Sequence, residues 1–595
     1  MLRTHNCGQL RLVDNGQTVT LAGWVQSCRN LGGLLFIALR DHDGLTQLVI
    51  DLTSQPQIAA LAQELRDEFV IKASGQVRPR PAAMINPDMV TGEIEVAVDS
   101  LEILNRSLPL PFNLSEDKVG LASESLRLQY RFLDLRRPNL QAMLAAKDQL
   151  IRQMRYYFQA RNFIEIQTPI LANSSPEGAR DFLIPSRLFP GQCYALPQAP
   201  QQFKQLLMIG GLDRYFQIAP CFRDEDSRQD RHYGEFYQLD MEMSFIDSEE
   251  DIWQIMEPLM IQLTNEFSDK QIIGLVDGRL PKLTWHQAMT DYGSDKPDLR
   301  FDLKIEPVSH IVANSSLAIF QTVINDGGVI HSLAVPGDHK LSRKQLDELV
   351  DLAKLKGLSG LGYLIYNGDN WQGSLAKNLE SAILQELVSA LKLEVGQTVL
   401  IAAGQWLPVC QALGAIRSQI AQWFALADHK LAAWCWVIDF PFYEVGNTVT
   451  GFDFSHNPFS MPKGGLDALK NQPPLEIVAH QFDLVLNGVE ISSGAIRNHQ
   501  PEIMYEAFRL VGYEQAEVDR RFGAMIEAFK YGAPPHGGNA PGIDRLLMVL
   551  KDYDSIRDIY AFPKDGQGRD LMMGSPSPVD QHQLTDLNLQ WSKNK

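Results

Sequence analysis

The sequence predicts a multidomain α+β protein. Three observations carry that expectation. The chain has 595 residues, more than a single hydrophobic core accommodates. Residues 1–106 alternate apolar and polar side chains in short runs between Gly-rich turns, the pattern of half-buried strands. The remainder mixes helical and strand spacings, and its texture changes over residues 300–425, as an insertion into a larger domain would.

Taken in order, the first block holds Thr18–Val25, Leu34–Asp41, Leu45–Asp51 and Phe69–Val77, with a helix-like segment from Gln57 to Asp67. Short strands such as these with one helix suggest a small, five-stranded OB-fold β-barrel over 1–106. Such barrels offer aromatic platforms and a few polar readers to single-stranded nucleic acid. Leu108-Pro-Leu-Pro-Phe112 is a stiff connector within a hinge expected over 107–139. Helical spacing then runs from Leu140 to Ala160, followed by a strand, Phe163–Gln167, that ends at Thr168-Pro169. A larger domain is expected in two parts, 140–293 and 426–565, split by an inserted α+β domain over 294–425. Residues 566–595 form a polar C-terminal extension.

Composition narrows the class. An apolar fraction of 45% and an aromatic fraction of 9% are ordinary for a globular protein. The net charge of −18 argues against a surface coated for non-specific nucleic-acid binding, though a local basic groove is compatible with it. There is no 18-residue apolar run and no basic-apolar-small leader, so a soluble, cytoplasmic protein without a membrane partner is expected. The six cysteines are scattered without a C-x-x-C pair, which offers neither a disulfide framework nor a zinc site.

Two arginines point to the chemistry. Arg223 lies in Cys221-Phe-Arg-Asp-Glu-Asp226, just after the strand-like run Arg214–Ala219. Arg545 closes Gly537-Gly-Asn-Ala-Pro-Gly-Ile-Asp-Arg545 and opens the apolar helix that continues through Leu550. A guanidinium gives a phosphate two hydrogen bonds and keeps its charge, so this pair suits the two ends of a bent triphosphate. Asp483 and Glu490 flank a strand and turn. Two carboxylates facing a phosphate site suit magnesium; two solvated acids are the plain alternative. Phe36 has two readings, a base-stacking platform or barrel core.

These strings together resemble the class II aminoacyl-tRNA synthetases, most closely the bacterial aspartate type of subclass IIb. The helix, strand and Pro169 resemble motif 1, Phe222–Glu225 motif 2, and Gly542–Arg545 motif 3. Ser175–Asp181, Ala195–Lys204, Tyr292–Arg300, Asn487–Glu490 and Gly494–Arg497 resemble signatures of the aspartate type, and the insertion matches its extra domain. The resemblance implies an antiparallel-sheet catalytic domain and a two-step reaction. L-Aspartate attacks ATP, with Mg2+ as cofactor, to give aspartyl-adenylate; the aspartyl group then moves to the 3′ end of tRNA(Asp). Some relatives also charge tRNA(Asn). A homodimer built on motif 1 is implied as well.

The resemblance also assigns residues. Arg223 and Arg545 would be catalytic. ATP would be held by Arg223, Asp224, Glu225, His232, Phe236, Glu490, Gly542, Ile543, Asp544 and Arg545, with Phe236 stacked on the adenine. Aspartate would be held by Glu177, Gln201, Lys204, Arg223, Asp240, His456 and Arg497, and the metal by Asp483 and Glu490. The anticodon would be read by Arg29, Phe36, Gln47 and Glu95. Four departures stand out: Ala199 replaces a serine, His232-Tyr-Gly234 adds a residue to the motif 2 loop, Gln26–Asn30 lacks an arginine cluster, and Leu31 replaces a histidine found in enzymes that charge both tRNAs. Leu31 leans towards strict discrimination. The alternatives are an asparaginyl or lysyl relative and a non-catalytic synthetase-like binding protein. Lys204 and Arg497 argue against both amino acids, because an amide leaves cations unpaired and an ammonium is repelled.

Overall fold

The computed structural model describes residues 1–114, 120–174, 179–226, 234–337, 339–368 and 370–591. Glu177 and His232 lie outside the described residues. The chain forms two compact units. One comprises Met1–Ala145 with Ala561–Asp565 and Asp570–Ser575; the other comprises the remainder.

In the first unit, β1 (Thr18–Leu31), β2 (Leu34–Arg40), β3 (Leu45–Asp51), β4 (Val70–Pro79) and β5 (Ile94–Asn105) close into a barrel in the order β1-β2-β3-β5-β4. This is the barrel that the alternation predicts. Val19, Leu21, Ile37, Leu39, Leu48, Ile50, Ile71 and Val96 fill its interior, one from every second position along each strand. Bulges at Val25/Ser27 in β1 and at Ser74/Gly75 in β4 add the twist that closure needs. Helix α1 (Pro56–Glu64) starts on a proline and stops three residues short of the expected end, because Leu65 turns extended and enters the barrel core.

The stretch carrying α2 (Glu124–Gln129) and α3 (Arg131–Asp134) belongs to the same unit. Buried Asp134 takes the guanidinium of Arg131 at 2.6 Å and those of Arg127 and Arg137 at 3.5 Å. Glu68 of the barrel takes Arg40 at 2.8 Å and Arg136 at 2.7 Å, while Arg136 lies 4.9 Å from the Trp24 ring. Buried charges persist when paired in this way.

The second unit takes in most of α4 (Pro138–Gln159), then β6 (Ile164–Glu165), a hairpin of β7 (Leu183–Pro185) and β8 (Cys193–Ala195), and α5 (Gln201–Ile209). Strands β9 (Arg214–Phe222) and β10 (Glu235–Ser244), helix α6 (Glu249–Phe267), β11 (Gln271–Ile273), β12 (Lys282–Thr284) and α7 (Trp285–Tyr292) follow. The motif 1 strand is shorter than expected: it pairs with β9 at Ile164 and Glu165, and the Ile166 amide donates a last bond to the Phe216 carbonyl.

An inserted sheet then forms from β13 (Ile305–Pro307), β14 (Val329–Ala334), β15 (Gly362–Tyr366), β16 (Trp371–Gln372) and β17 (Thr398–Gly404), in the order β13-β14-β17-β15-β16. Helices α8 (Ser309–Val312), α9 (Ala318–Asn325), α10 (Arg343–Leu355), α11 (Ser381–Leu391) and α12 (Trp406–Trp423) accompany it. Alternate residues of β17 feed two separate cores, Leu400 and Ala402 into one and Val399 and Ile401 into the other.

The chain returns through β18 (Leu431–Ile438), a hairpin of β19 (Tyr443–Val445) and β20 (Phe452–Phe454), α13 (Gly465–Asn471), β21 (Gln481–Leu486), β22 (Val489–Ile496), α14 (Pro501–Leu510), α15 (Gln515–Phe529), β23 (His536–Asn539) and α16 (Ile543–Leu550). The main sheet runs β11-β18-β21-β22-β23-β10-β9-β6 with β12 also on β18. Its centre is antiparallel; β6, β11 and β12 add parallel pairings. Thr284 of β12 pairs with Ile438 of β18, so the insertion leaves and rejoins the sheet beside itself. Among the described residues no helix is long and apolar enough to cross a membrane.

Candidate active site

A cavity of about 520 Å³ opens over the centre of the main sheet. Strand β10 forms much of its floor. Period-two alternation puts Asp240 and Glu242 on one face, and both are fully buried. The adjacent strand β23 can lie there because it carries glycine: a Cβ on Gly538 would stand 2.2 Å from a Glu242 oxygen.

The buried end of the cavity holds four charges. Lys204 Nζ of α5 lies 2.6 Å from Asp240 Oδ1 and 3.2 Å from Glu242 Oε2. Arg497 donates from Nε to Glu242 Oε1 at 2.9 Å and from Nη2 to Oε2 at 3.4 Å. Burial raises the Asp240 carboxyl, and Lys204 offsets only part of that rise. Burial also raises Glu242, but Arg497 and Lys204 pull it back below the ordinary carboxylate range. Asp240 Oδ2 has no hydrogen-bond partner. Gln201 is buried beside them, one turn before Gln205, to which it donates at 3.2 Å. His456 opens onto the cavity and rests edge-on against Phe440 at 4.9 Å. The surrounding protein holds its imidazole below its ordinary pKa, so it is neutral at neutral pH.

The other end is set by β9, β22 and the start of α16. The Arg223 guanidinium lies 5.1 Å from the Phe236 ring centre, and its buried Nε has no hydrogen-bond partner. Arg545 donates from Nη1 to the Glu490 carbonyl at 2.5 Å, with Nη1 also 3.7 Å from Glu490 Oε1. Asp544 plays a structural part. Lys147 Nζ sits 2.5 Å from its Oδ1, while Tyr560 Oη and the Tyr237 amide donate to Oδ2 at 2.7 and 3.3 Å. That knot ties the start of α16 to β10 and α4.

Asp483 is buried on β21 with Oδ1 unpartnered, and burial together with the charge of Glu490 holds its carboxyl well above the usual range. A buried carboxyl beside a second, partly exposed carboxylate favours a bound cation. Among the described residues no three His, Cys, Asp or Glu side chains converge on a metal position. The pair therefore fits a hard divalent ion that draws its remaining oxygens from elsewhere.

Comparison with known proteins gives this geometry a family. The family description "tRNA synthetases class II (D, K and N)" matches residues 123–566. The chain belongs to the class II tRNA synthetases. Enzymes of this family use ATP. The OB-fold nucleic acid binding domain description matches residues 19–104. Aspartate–tRNA(Asp/Asn) ligase of Chlorobium phaeobacteroides (strain BS1) is 47% identical over 99% of this chain and 95% of its own length. The protein of the same name from Acidiphilium cryptum is 48% identical over 99% and 98%. Among solved structures, asparaginyl-tRNA synthetase from Pyrococcus horikoshii with asparaginyl-adenylate aligns with a TM-score of 0.57 at 19% identity, covering 95% of this chain and 98% of that one. That likeness concerns the fold.

Within this synthetase, the cavity gathers Arg223, Glu225, Phe236, Glu490, Gly542, Asp544, Arg545, Gln201, Lys204, Asp240, His456, Arg497 and Asp483. Asp224 and the fully buried Ile543 are not among its lining residues. Ala199 lines it where a hydroxyl is expected. Glu242, Lys147 and Tyr560 are partners that sequence reasoning misses. Glu242 had a signal, its place two residues beyond Asp240 on one strand; the other two had none.

The synthetase's barrel carries a second cluster. Gln47 donates to Glu95 Oε2 at 2.9 Å, and Arg78 Nε donates to Glu95 Oε1 at 2.9 Å. Phe36 is half-buried between the core residues Leu35 and Ile37, so it stands on the outer face and is not barrel core. Arg29 is exposed and pairs across the ladder with Phe36.

Proposed function

We propose that this protein is an aspartate–tRNA ligase that activates L-aspartate with ATP and charges tRNA(Asp) and tRNA(Asn). The observation that carries the reading is the buried Lys204–Asp240–Glu242–Arg497 cluster at one end of a cavity whose other end presents Arg223, Arg545 and a carboxylate pair.

The nucleophile, the aspartate α-carboxylate, is already ionised, so activation needs alignment and charge neutralisation more than a base. Arg223 meets the α-phosphate and the attacking carboxylate. Arg545 meets the γ-phosphate. Phe236, now beside Arg223, stacks on the adenine, while Glu225 takes part in nucleotide binding and Gly542 lets the backbone approach. Lys204 and Arg497 grip the side-chain carboxylate; Glu242 fixes the Arg497 fork so that its remaining donors face the ligand. Asp240 and Gln201 face the ammonium. Neutral His456 donates a hydrogen bond. Asparagine would leave the two cations unpaired, and lysine would face them with like charge. Asp483 and Glu490 would hold Mg2+, which when bound neutralises phosphate charge.

Phe36, Gln47, Glu95 and Arg29 read the anticodon. Relatives named for both tRNAs favour dual charging over the strict discrimination suggested by Leu31. Tyr156, Ile164, Ile170 and Leu171 expose apolar surface around motif 1, which a second copy covers in a homodimer. Translation places the enzyme in the cytoplasm.

The deciding experiment is ATP–pyrophosphate exchange with each amino acid, followed by charging of purified tRNA(Asp) and tRNA(Asn). Exchange with aspartate alone is expected, with both tRNAs charged. Exchange with asparagine or lysine but not aspartate overturns the reading.

A further inference from the structure

The segment Tyr292–Phe301 runs on from the end of α7 at the start of the inserted domain and, without lining the cavity, approaches Glu490 at its edge. Arg417, on α12 of the insertion, is buried beneath it. Its Nη2 donates to the carbonyls of Asp298 at 2.7 Å and Phe301 at 3.2 Å, and its Nε donates to that of Leu303 at 2.6 Å. The guanidinium also lies 4.1 Å from the Phe301 ring and 5.1 Å from that of Tyr292. Arg300 clamps the Asp298 carboxylate with bonds of 2.9 and 2.6 Å. Arg417 therefore fixes the segment from the α12 side, and the Arg300–Asp298 pair stiffens it internally. The segment is also pressed against the turn between β21 and β22: a Cβ on Gly488 would meet Asp298 Cβ at 3.2 Å. That turn carries Asp483 on one arm and Glu490 on the other.

From this segment one long cation reaches the edge of the site beside Glu490, without lining the cavity. Lys296 Nζ stands 3.9 Å from Glu490 Oε2 and 3.5 Å from Asp295 Oδ1, with its side chain 42% exposed. Glu490 thus has Arg545 on one side and Lys296 on another. At 3.9 Å the Lys296 contact is an ion pair without a hydrogen bond. A flexible ammonium held at this range serves a mobile polyanion as a point charge.

We propose that Lys296 is a phosphate-binding residue of the ATP site, carrying its ammonium from Glu490 to the terminal phosphates of ATP and to pyrophosphate, and that Arg417 is the positioning residue that holds its segment. This rests on the ATP-dependent reading above. The inserted domain thereby acquires a role in catalysis, since its helix α12 secures the segment that carries Lys296.

The test measures Lys296→Met and Lys296→Arg in the full-length protein. Exchange kinetics give KM for ATP, pyrophosphate and aspartate separately. Calorimetry with Mg2+ gives the Kd of pyrophosphate and of a non-hydrolysable ATP analogue. Losing one charge-assisted contact predicts about a tenfold rise in KM and Kd for both phosphates in Lys296→Met, an aspartate KM within about twofold, and recovery in Lys296→Arg. Arg417→Lys, which keeps a charge but not the three-carbonyl grip, should show a smaller rise of the same pattern. Phosphate affinities unchanged in Lys296→Met overturn the proposal. If the unaltered protein exchanges with no amino acid, the aspartate reading fails, yet the two binding constants still decide the role of Lys296.

Discussion

Glu242 is fully buried and nonetheless an easily ionised acid, because Arg497 and Lys204 more than offset its desolvation. Glu242→Gln leaves Arg497 buried against a neutral partner, a change that costs about 3–5 kcal/mol. The expected outcome is a lower thermal midpoint and an aspartate KM raised well above tenfold, with the KM for ATP little changed. Arg545→Ala should lower exchange about a hundredfold, as loss of a transition-state charge partner does; a near-parental rate would refute its placement. The residues legible in the sequence were those whose chemistry is unusual wherever they stand: Arg223 in an acidic loop, Arg545 after a glycine turn. Glu242 was not among them. Whether a strand carboxylate faces solvent or a cavity depends on its neighbour, and here that neighbour is Gly538, far along the chain.

Among the elements, α7 and α12 meet through glycine. Gly293 ends α7 in the left-handed region, at φ +67°, and a Cβ on Gly414 would stand 2.2 Å from its carbonyl oxygen. Neither backbone can retreat, so Gly414→Ala should destabilise by about 1–3 kcal/mol, read as a lower denaturant midpoint. The inserted sheet supplies a pH prediction. His331 on β14 is buried, its Nδ1 unpartnered, and burial depresses its pKa below 6.5. Above 6.5 it is neutral in both folded and unfolded chains. As pH falls below 6.5 the unfolded chain takes up the proton first, so stability drops until the folded value is passed. The difference in denaturant midpoint between pH 7.5 and 5.5 should shrink in His331→Gln. The insertion itself was legible from texture, but its strand order was not. The last strand, β17, enters between β14 and β15, a choice made by two cores that no local pattern reveals.

For the whole molecule, barrel and catalytic cavity lie in separate compact units, and substitutions should separate their roles. Phe36→Ala removes the proposed stacking platform, a kind of contact typically worth about 1–3 kcal/mol per base. It should lower tRNA charging roughly tenfold or more while leaving ATP–pyrophosphate exchange at the parental rate; a matching fall in exchange would show that the two readouts are not independent. The barrel was legible because all five of its strands fall within one contiguous stretch, Thr18 to Asn105. The main sheet was less so, because β10 has β9 on one side and β23 on the other.

That last pairing has a consequence for how the molecule is born. On a ribosome the barrel can close early, when only its own stretch has emerged, since domains generally fold as units from the N-terminus. Strand β10 emerges long before β23, and in the interval one edge of β10 is open, with Asp240 and Glu242 lacking Arg497. Only when Arg497 and β23, both in the final fifth of the polypeptide, have left the exit tunnel can the Lys204–Asp240–Glu242–Arg497 cluster close. A truncated product would therefore carry a finished barrel joined to a main sheet that lacks its buried charge cluster.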